Sequence, residues 1–260
     1  MPEGTSWTTK ITKAEPNHVV VRGYALDDMM GRVSFAEGVY LLFRGELPPP
    51  SARPLVEALF MASLDHGPGA PSASSARTVA STGAPLNAAV AAGILAVNRF
   101  HGGAIEDCMV LLGKAVGEAR AAGKTAAEIA AGLVTDALAK KRVLPGFGHR
   151  VHTRDPRTAR LFALAEEGGQ AGDYVAMARA VQEALKAAGK DLPINVDGAM
   201  AAVLCELGFP PALGNVFFMI GRVPGLAAQA YEEMTTQKPM RRIDFTAAEY
   251  DGPADRPLDR

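Results

Sequence analysis

Thr125-Ala126-Ala127-Glu128-Ile129-Ala130-Ala131-Gly132-Leu133-Val134 sets the reading of this chain. A threonine three residues ahead of a glutamate is a helix start. The hydroxyl accepts from a backbone N–H of the first turn, and the carboxylate reaches back to the cap. The alanine-rich run behind it predicts a helix over 126–139. Ser34 with Glu37 repeats the signature ahead of a helix over 35–44, which Gly45 and Pro48-Pro49-Pro50 end. Helices are also expected over 51–64, 72–82, 86–97, 104–121, 157–167, 173–188, 198–207 and 211–232. Residues 8–22 alternate and hold Val19-Val20-Val21, which reads as a short strand or hairpin. With abundant alanine and aromatics at only 6%, helices can approach closely, so the fold class is all-α or nearly so.

The 260 residues can bury a sizeable core. Lys and Arg number 27 against 28 Asp and Glu, which argues against nucleic acid as a partner. Cys108 and Cys205 lie far apart in apolar runs and are expected to be free thiols, consistent with a reducing cytoplasm. No basic segment leads into an apolar core at the start, and runs such as 88–97 are too short to span a bilayer. The polar tail after 242, with Pro253 and Pro257, is expected to be extended.

Two stretches carry the chemistry. Val143-Leu144-Pro145-Gly146-Phe147-Gly148-His149-Arg150, followed by Asp155-Pro156-Arg157, offers a histidine on a glycine-flexed loop with arginines behind it. Ile194-Asn195-Val196-Asp197-Gly198 offers an isolated carboxylate at the end of an apolar run. Together they suit acid–base work on a multiply anionic substrate. His66, His101 and His149 each adjoin glycine at a helix boundary, whereas His18 and His152 read as surface residues. A single such histidine is more often structural; three in one context shift the balance. Asp197 alone would read as a turn or cap residue, and Arg157, Arg241 and Arg242 as surface charges. Arg222 interrupts the apolar run Val216-Phe217-Phe218-Met219-Ile220, so it needs an anionic partner from the protein or a ligand. His149 and His152 are spaced in a loop and neither cysteine has a near partner, so no metal site is expected. The phosphate-cradling glycine loops of ATP and NAD sites and the Gly-x-Ser-x-Gly elbow are absent from the sequence.

The blocks Arg22-Gly23-Tyr24, Ser34-Phe35-Ala36-Glu37, Gly45-Glu46-Leu47-Pro48, Asp65-His66, Ala80-Ser81-Thr82-Gly83-Ala84 and His101-Gly102-Gly103-Ala104 follow in order. With the two stretches above, they resemble the citrate synthase superfamily over nearly the whole chain. The resemblance implies a mostly helical large domain, 1–102 with 206–260, and a smaller domain, 103–205, that closes over the cleft. It implies a homo-oligomer, a dimer at minimum, whose site borrows a residue from a second subunit; Arg241 is the expected one. His101, His149 and Asp197 match the catalytic trio, and His66, Arg157 and Arg222 match ligands of substrate carboxylates. The loop carrying Val143, Leu144, Gly146, Phe147 and Gly148 matches the segment whose backbone holds the adenine of coenzyme A. Lys190 sits where it can reach the same coenzyme, which is a substrate here and not a permanently bound cofactor.

The stretch between Pro48 and Asp65 is shorter than in a typical citrate synthase and resembles citryl-CoA lyases and the matching module of ATP-citrate lyase. His101, in contrast, follows the synthase pattern. The expected reaction is retro-Claisen cleavage of citryl-CoA to acetyl-CoA and oxaloacetate. Condensation of acetyl-CoA with oxaloacetate or a related 2-oxo acid is the alternative. A non-catalytic acyl-CoA-binding subunit is the third, against which the intact trio counts.

Overall fold

The computed structural model describes residues 7–148, 155–241, 249–254, 256 and 257. Three short antiparallel strands, β1 (Thr12–Glu15), β2 (His18–Val21) and β3 (Tyr24–Ala25), form a sheet in that order. Pro16 and Asn17, the latter at φ 59°, turn β1 into β2. Arg22 anchors the sheet by donating from Nε and Nη2 to the Leu42 carbonyl at 3.1 and 2.6 Å.

Helices make up the rest: α1 (Leu26–Met29), α2 (Phe35–Arg44), α3 (Arg53–Met61), α4 (Pro71–Ser81), α5 (Leu86–Leu95), α6 (Ala104–Ala122), α7 (Ala126–Ala139), α8 (Pro156–Glu167), α9 (Asp173–Ala187), α10 (Val196–Glu206) and α11 (Gly214–Thr236). The mostly helical class expected from the sequence is borne out. Both expected caps form. Ser34 Oγ accepts from Glu37 N–H at 3.2 Å while Glu37 takes the Ser34 N–H at 2.8 Å, and Thr125 with Glu128 repeats the pair. Gly45 at φ 82° stops α2.

Boundaries of three helices differ from expectation, and α5 stops two residues early, at Leu95. α3 is shorter, because Pro50–Ala52 form a 3-10 turn ahead of it and it ends at Met61. Gly214 starts α11 after a second 3-10 turn, Pro211–Leu213, and the helix runs on to Thr236. α10 begins at Val196, so Asp197 lies inside its first turn and the cap is Asn195, whose side chain accepts from Gly198 N–H.

α10 is the most enclosed helix, with Ala199 through Leu204 at 0% exposure. It packs on α6, α8 and α9, while α7 lies along α9. A second, smaller core joins α4, α5 and α11 through Ala73, Ala76, Ala80, Ala89, Leu226 and Ala230. Alanine lets these helices close up: a Cβ on Gly93 would already lie 2.9 Å from Leu226 and from the Ser72 carbonyl. Cys108 and Cys205 are free, and burial pushes both thiols up. No described helix is long and apolar enough to cross a membrane.

Candidate active site

Several element ends converge on one region: the exit of α3, the first turns of α4, α8 and α10, the 98–103 loop, and the middle of α11. Asn98 and His101 exchange backbone hydrogen bonds at 2.9 and 2.8 Å, which folds the loop back on itself. Both glycines behind His101 are required by contact. A Cβ on Gly102, at φ 69°, would meet Phe218 at 2.6 Å, and one on Gly103 would meet the Asn98 carbonyl at 2.5 Å.

The His101 imidazole is fixed from α4. Its Nε2 accepts the Ser72 N–H at 3.3 Å and lies 2.8 Å from Ser72 Oγ. A backbone N–H can only donate, so Nε2 is the bare nitrogen and the ring proton sits on Nδ1. Burial, then the positive Arg222, then His66 lower the imidazole below its ordinary value. The neutral ring, donating from Nδ1, is therefore the form at neutral pH.

Asp197 behaves in the opposite sense. Burial pushes its carboxyl up to about 6 and Asp155 adds to this, against the opposing charges of Arg157 and Arg222. The carboxyl can thus exchange a proton near neutrality.

The two arginines come from different helices and donate to the neighbouring carbonyls of Ala62 and Ser63, just past α3. Arg157 grips Asp155, the cap of α8, with Nε and Nη2 at 3.0 and 2.8 Å, and its Nη1 donates to the Ala62 carbonyl at 3.2 Å. Arg222 is 2% exposed, and its Nε donates to the Ser63 carbonyl at 2.6 Å. Its guanidinium lies 4.8 Å over the Phe218 ring. No described carboxylate pairs with it, and Nη1 is buried without a partner; Arg77 Nε is the other such atom among the described residues. A buried cationic N–H left unpaired is costly and marks a place for an anionic acceptor.

The 143–148 loop is sewn to the entry of α10. Gly146 O accepts from Asn195 N–H at 3.0 Å, Gly148 N–H donates to Pro193 O at 2.8 Å, and Asn195 Nδ2 donates to Gly148 O at 2.8 Å. A Cβ on Gly146, at φ 86°, would lie 2.7 Å from both Cys108 Sγ and Gly198 Cα. Two cavities flank this loop. One of about 250 Å³ is lined by Val143, Leu144, Phe147 and Lys190. A larger one of about 890 Å³ runs between α6 and α7 and reaches Phe100 and Ala104 beside His101, while Arg222 and Asp197 do not line it.

The structure thus gathers His101, Asp197, Arg157 and Arg222, with His66 on an exposed turn nearby. His149 lies outside the described residues, as do Arg150, His152 and Arg242. Arg241 is held on its own chain, its Nε 2.8 Å from Glu233 Oε1. Ser72 and Phe218 were given no role at the site from the sequence. Phe218 stands four residues before Arg222, a spacing that puts both on one helix face and could have revealed it. Nothing local marks Ser72. Among the described residues no three His, Cys, Asp or Glu gather as a metal site.

Residues 48–243 match the family model described as citrate synthase, C-terminal domain. The putative citrate synthase 2 of Mycobacterium tuberculosis is 33% identical over 82% of this chain and 55% of its own length. The chain spans about half the length of the curated relatives it matches. The structure of citryl-CoA lyase from Hydrogenobacter thermophilus is 41% identical, covers 97% of both chains and superposes with a TM-score of 0.87. ATP citrate lyase from Methanothrix soehngenii, in complex with citrate and coenzyme A, shares the fold over 98% of this chain and 43% of its own, with a TM-score of 0.83 at 21% identity. This chain belongs to the citrate synthase family.

Proposed function

We propose that the protein cleaves citryl-CoA into acetyl-CoA and oxaloacetate. The observation that carries this reading is the end-to-end likeness to a stand-alone citryl-CoA lyase, 97% of each chain. The pairing of a neutral His101 with a carboxyl that titrates near 6 at Asp197 supports it chemically.

In this reading His149 takes the proton of the C3 hydroxyl of the citryl group. The hydroxyl becomes the ketone of oxaloacetate, the C2–C3 bond breaks, and its electron pair passes into the thioester as an enolate. His101 donates from Nδ1 to the enolate oxygen. Asp197 then delivers its proton to the enolate carbon and makes the methyl group of acetyl-CoA. Arg222, through the unpaired Nη1, and Arg157, with His66, hold the carboxylates. For Arg241 to serve a neighbouring subunit it would have to leave Glu233. The 143–148 loop and Lys190 receive coenzyme A. Residues 103–205 would move as the smaller domain over 1–102 and 206–260. The protein would act in the cytoplasm as a homo-oligomer. The apolar α5, with Leu95 77% exposed, supports a partner subunit there.

The relatives named citrate synthase favour a second reading, in which the same residues run the cleavage steps in reverse, as a condensation of acetyl-CoA with oxaloacetate, and water then releases coenzyme A. Purified protein given citryl-CoA, and separately acetyl-CoA with oxaloacetate, distinguishes them. Fast acetyl-CoA release with little free coenzyme A supports the lyase. Net citrate and free coenzyme A support the synthase.

A further inference from the structure

Gln229, on α11, joins two parts of the molecule. Its Oε1 accepts from Arg77 Nη1 at 2.7 Å, and its Nε2 donates to Asp65 Oδ2 at 3.1 Å. With both ends used, the amide has one orientation, since a flip would face a donor to the guanidinium. On one side, Arg77 Nη2 meets Glu233 Oε2 at 2.8 Å, and that residue is 1% exposed. Arg241 closes on the same carboxylate, and Met240 N–H donates to the Ser81 carbonyl at 2.7 Å. The segment leaving α11 is thereby folded back onto α4. On the other side, Asp65 also accepts the Gly67 N–H at 3.0 Å, which closes the turn that carries His66. Gly225 permits this approach: a Cβ there would lie 2.1 Å from the Leu64 carbonyl.

We propose that Gln229 is a positioning residue. It holds the Asp65 carboxylate, and with it the His66 turn, and it links that turn through Arg77 and Glu233 to the anchoring of the C-terminal segment at Arg241. Its effect on turnover rests on the reading of His66 as a carboxylate ligand; the geometry of the turn does not.

Gln229→Glu separates the two ends. The new carboxylate still accepts from Arg77, with charge assistance, but it cannot donate to Asp65 and repels it. The melting temperature should hold while KM for citryl-CoA rises about fivefold with little change in kcat. The His66 imidazole cross-peak in a proton–carbon NMR spectrum, assigned by its loss in His66→Gln, should move. Gln229→Met, which removes both ends without adding charge, should also move it. Arg241→Gln should move it less, and should add nothing in the Gln229→Glu background. A stationary cross-peak in Gln229→Glu, or strictly additive shifts in the double variant, overturns the proposal. Because the cross-peak is read without turnover, a His66→Gln protein with wild-type KM would sink the catalytic reading of His66 alone.

Discussion

The backbone N–H of Ser72, in the first turn of α4, donates to Nε2 of His101 at 3.3 Å. This contact places a helix N-terminus behind the imidazole and leaves Nδ1 as its donor. The expected tautomer is directly readable: nitrogen NMR should find the His101 proton on Nδ1 at pH 7. Ser72→Ala keeps the backbone donor and loses only the hydroxyl, so kcat/KM should fall about fivefold. His101→Ala should fall by about 10²–10³, as for a lost oxyanion donor. A proton found on Nε2 would refute the arrangement.

Asp197 should make stability depend on pH in a defined direction. Its folded value, about 6, lies above the ordinary 3.8. The folded state therefore binds more protons than the unfolded one between these values, and that contribution is lost as pH rises through 6. Asp197→Asn cannot ionise, so it should be more stable than the parent at pH 7.5, by about 1–3 kcal/mol, and nearly equal to it below pH 4. Denaturant titrations at the two pH values check this. An advantage that does not change with pH would mean that the carboxyl is not desolvated.

Arg222 should trade stability for binding. Arg222→Met removes a buried cation that no described carboxylate pairs with and fills the space with apolar atoms. The variant should melt at the same temperature or higher, since a buried charge without an ion-pair partner carries a desolvation cost that apolar atoms do not. Oxaloacetate should raise the parent's melting temperature and leave that of Arg222→Met unchanged. A ligand-induced shift retained in the variant would remove Arg222 from the site.

The caps of α2 and α7 could be read from sequence because their signals lie within three residues. The start of α10 could not. Val196, Asp197 and Gly198 read as a strand end and a turn, whereas Gly198 is needed for contact: a Cβ there would lie 2.3 Å from the Gly146 carbonyl. The sign of the charges at Arg157 and Arg222 was visible, but their anchorage only in part. Asp155, two residues before Arg157, holds that side chain and was in view, but the remaining anchors are the carbonyls of Ala62 and Ser63, and a backbone carbonyl carries no mark in sequence. Arg241 was expected only through the resemblance, and its pairing with Glu233 depends on how the chain folds back after α11.

The same contacts separate two kinds of glycine. Gly146→Ala should cost several kcal/mol, about 2–4, because φ 86° is strained for alanine and the new carbon meets Gly198. Gly113→Ala, on the exposed face of α6 with open space around it, should instead stabilise by about 1 kcal/mol. Thermal melts of the two variants decide it; equal effects would contradict the packing of the loop on α10.

Cleavage of citryl-CoA in deuterium oxide tests the central claim most directly. Mass spectrometry of the products should show acetyl-CoA with one deuterium in its methyl group, formed alongside oxaloacetate, and almost none from Asp197→Asn, whose turnover should fall by about two to four orders of magnitude. Free coenzyme A and citrate in place of acetyl-CoA, or labelled acetyl-CoA formed by Asp197→Asn at the parent rate, would contradict it.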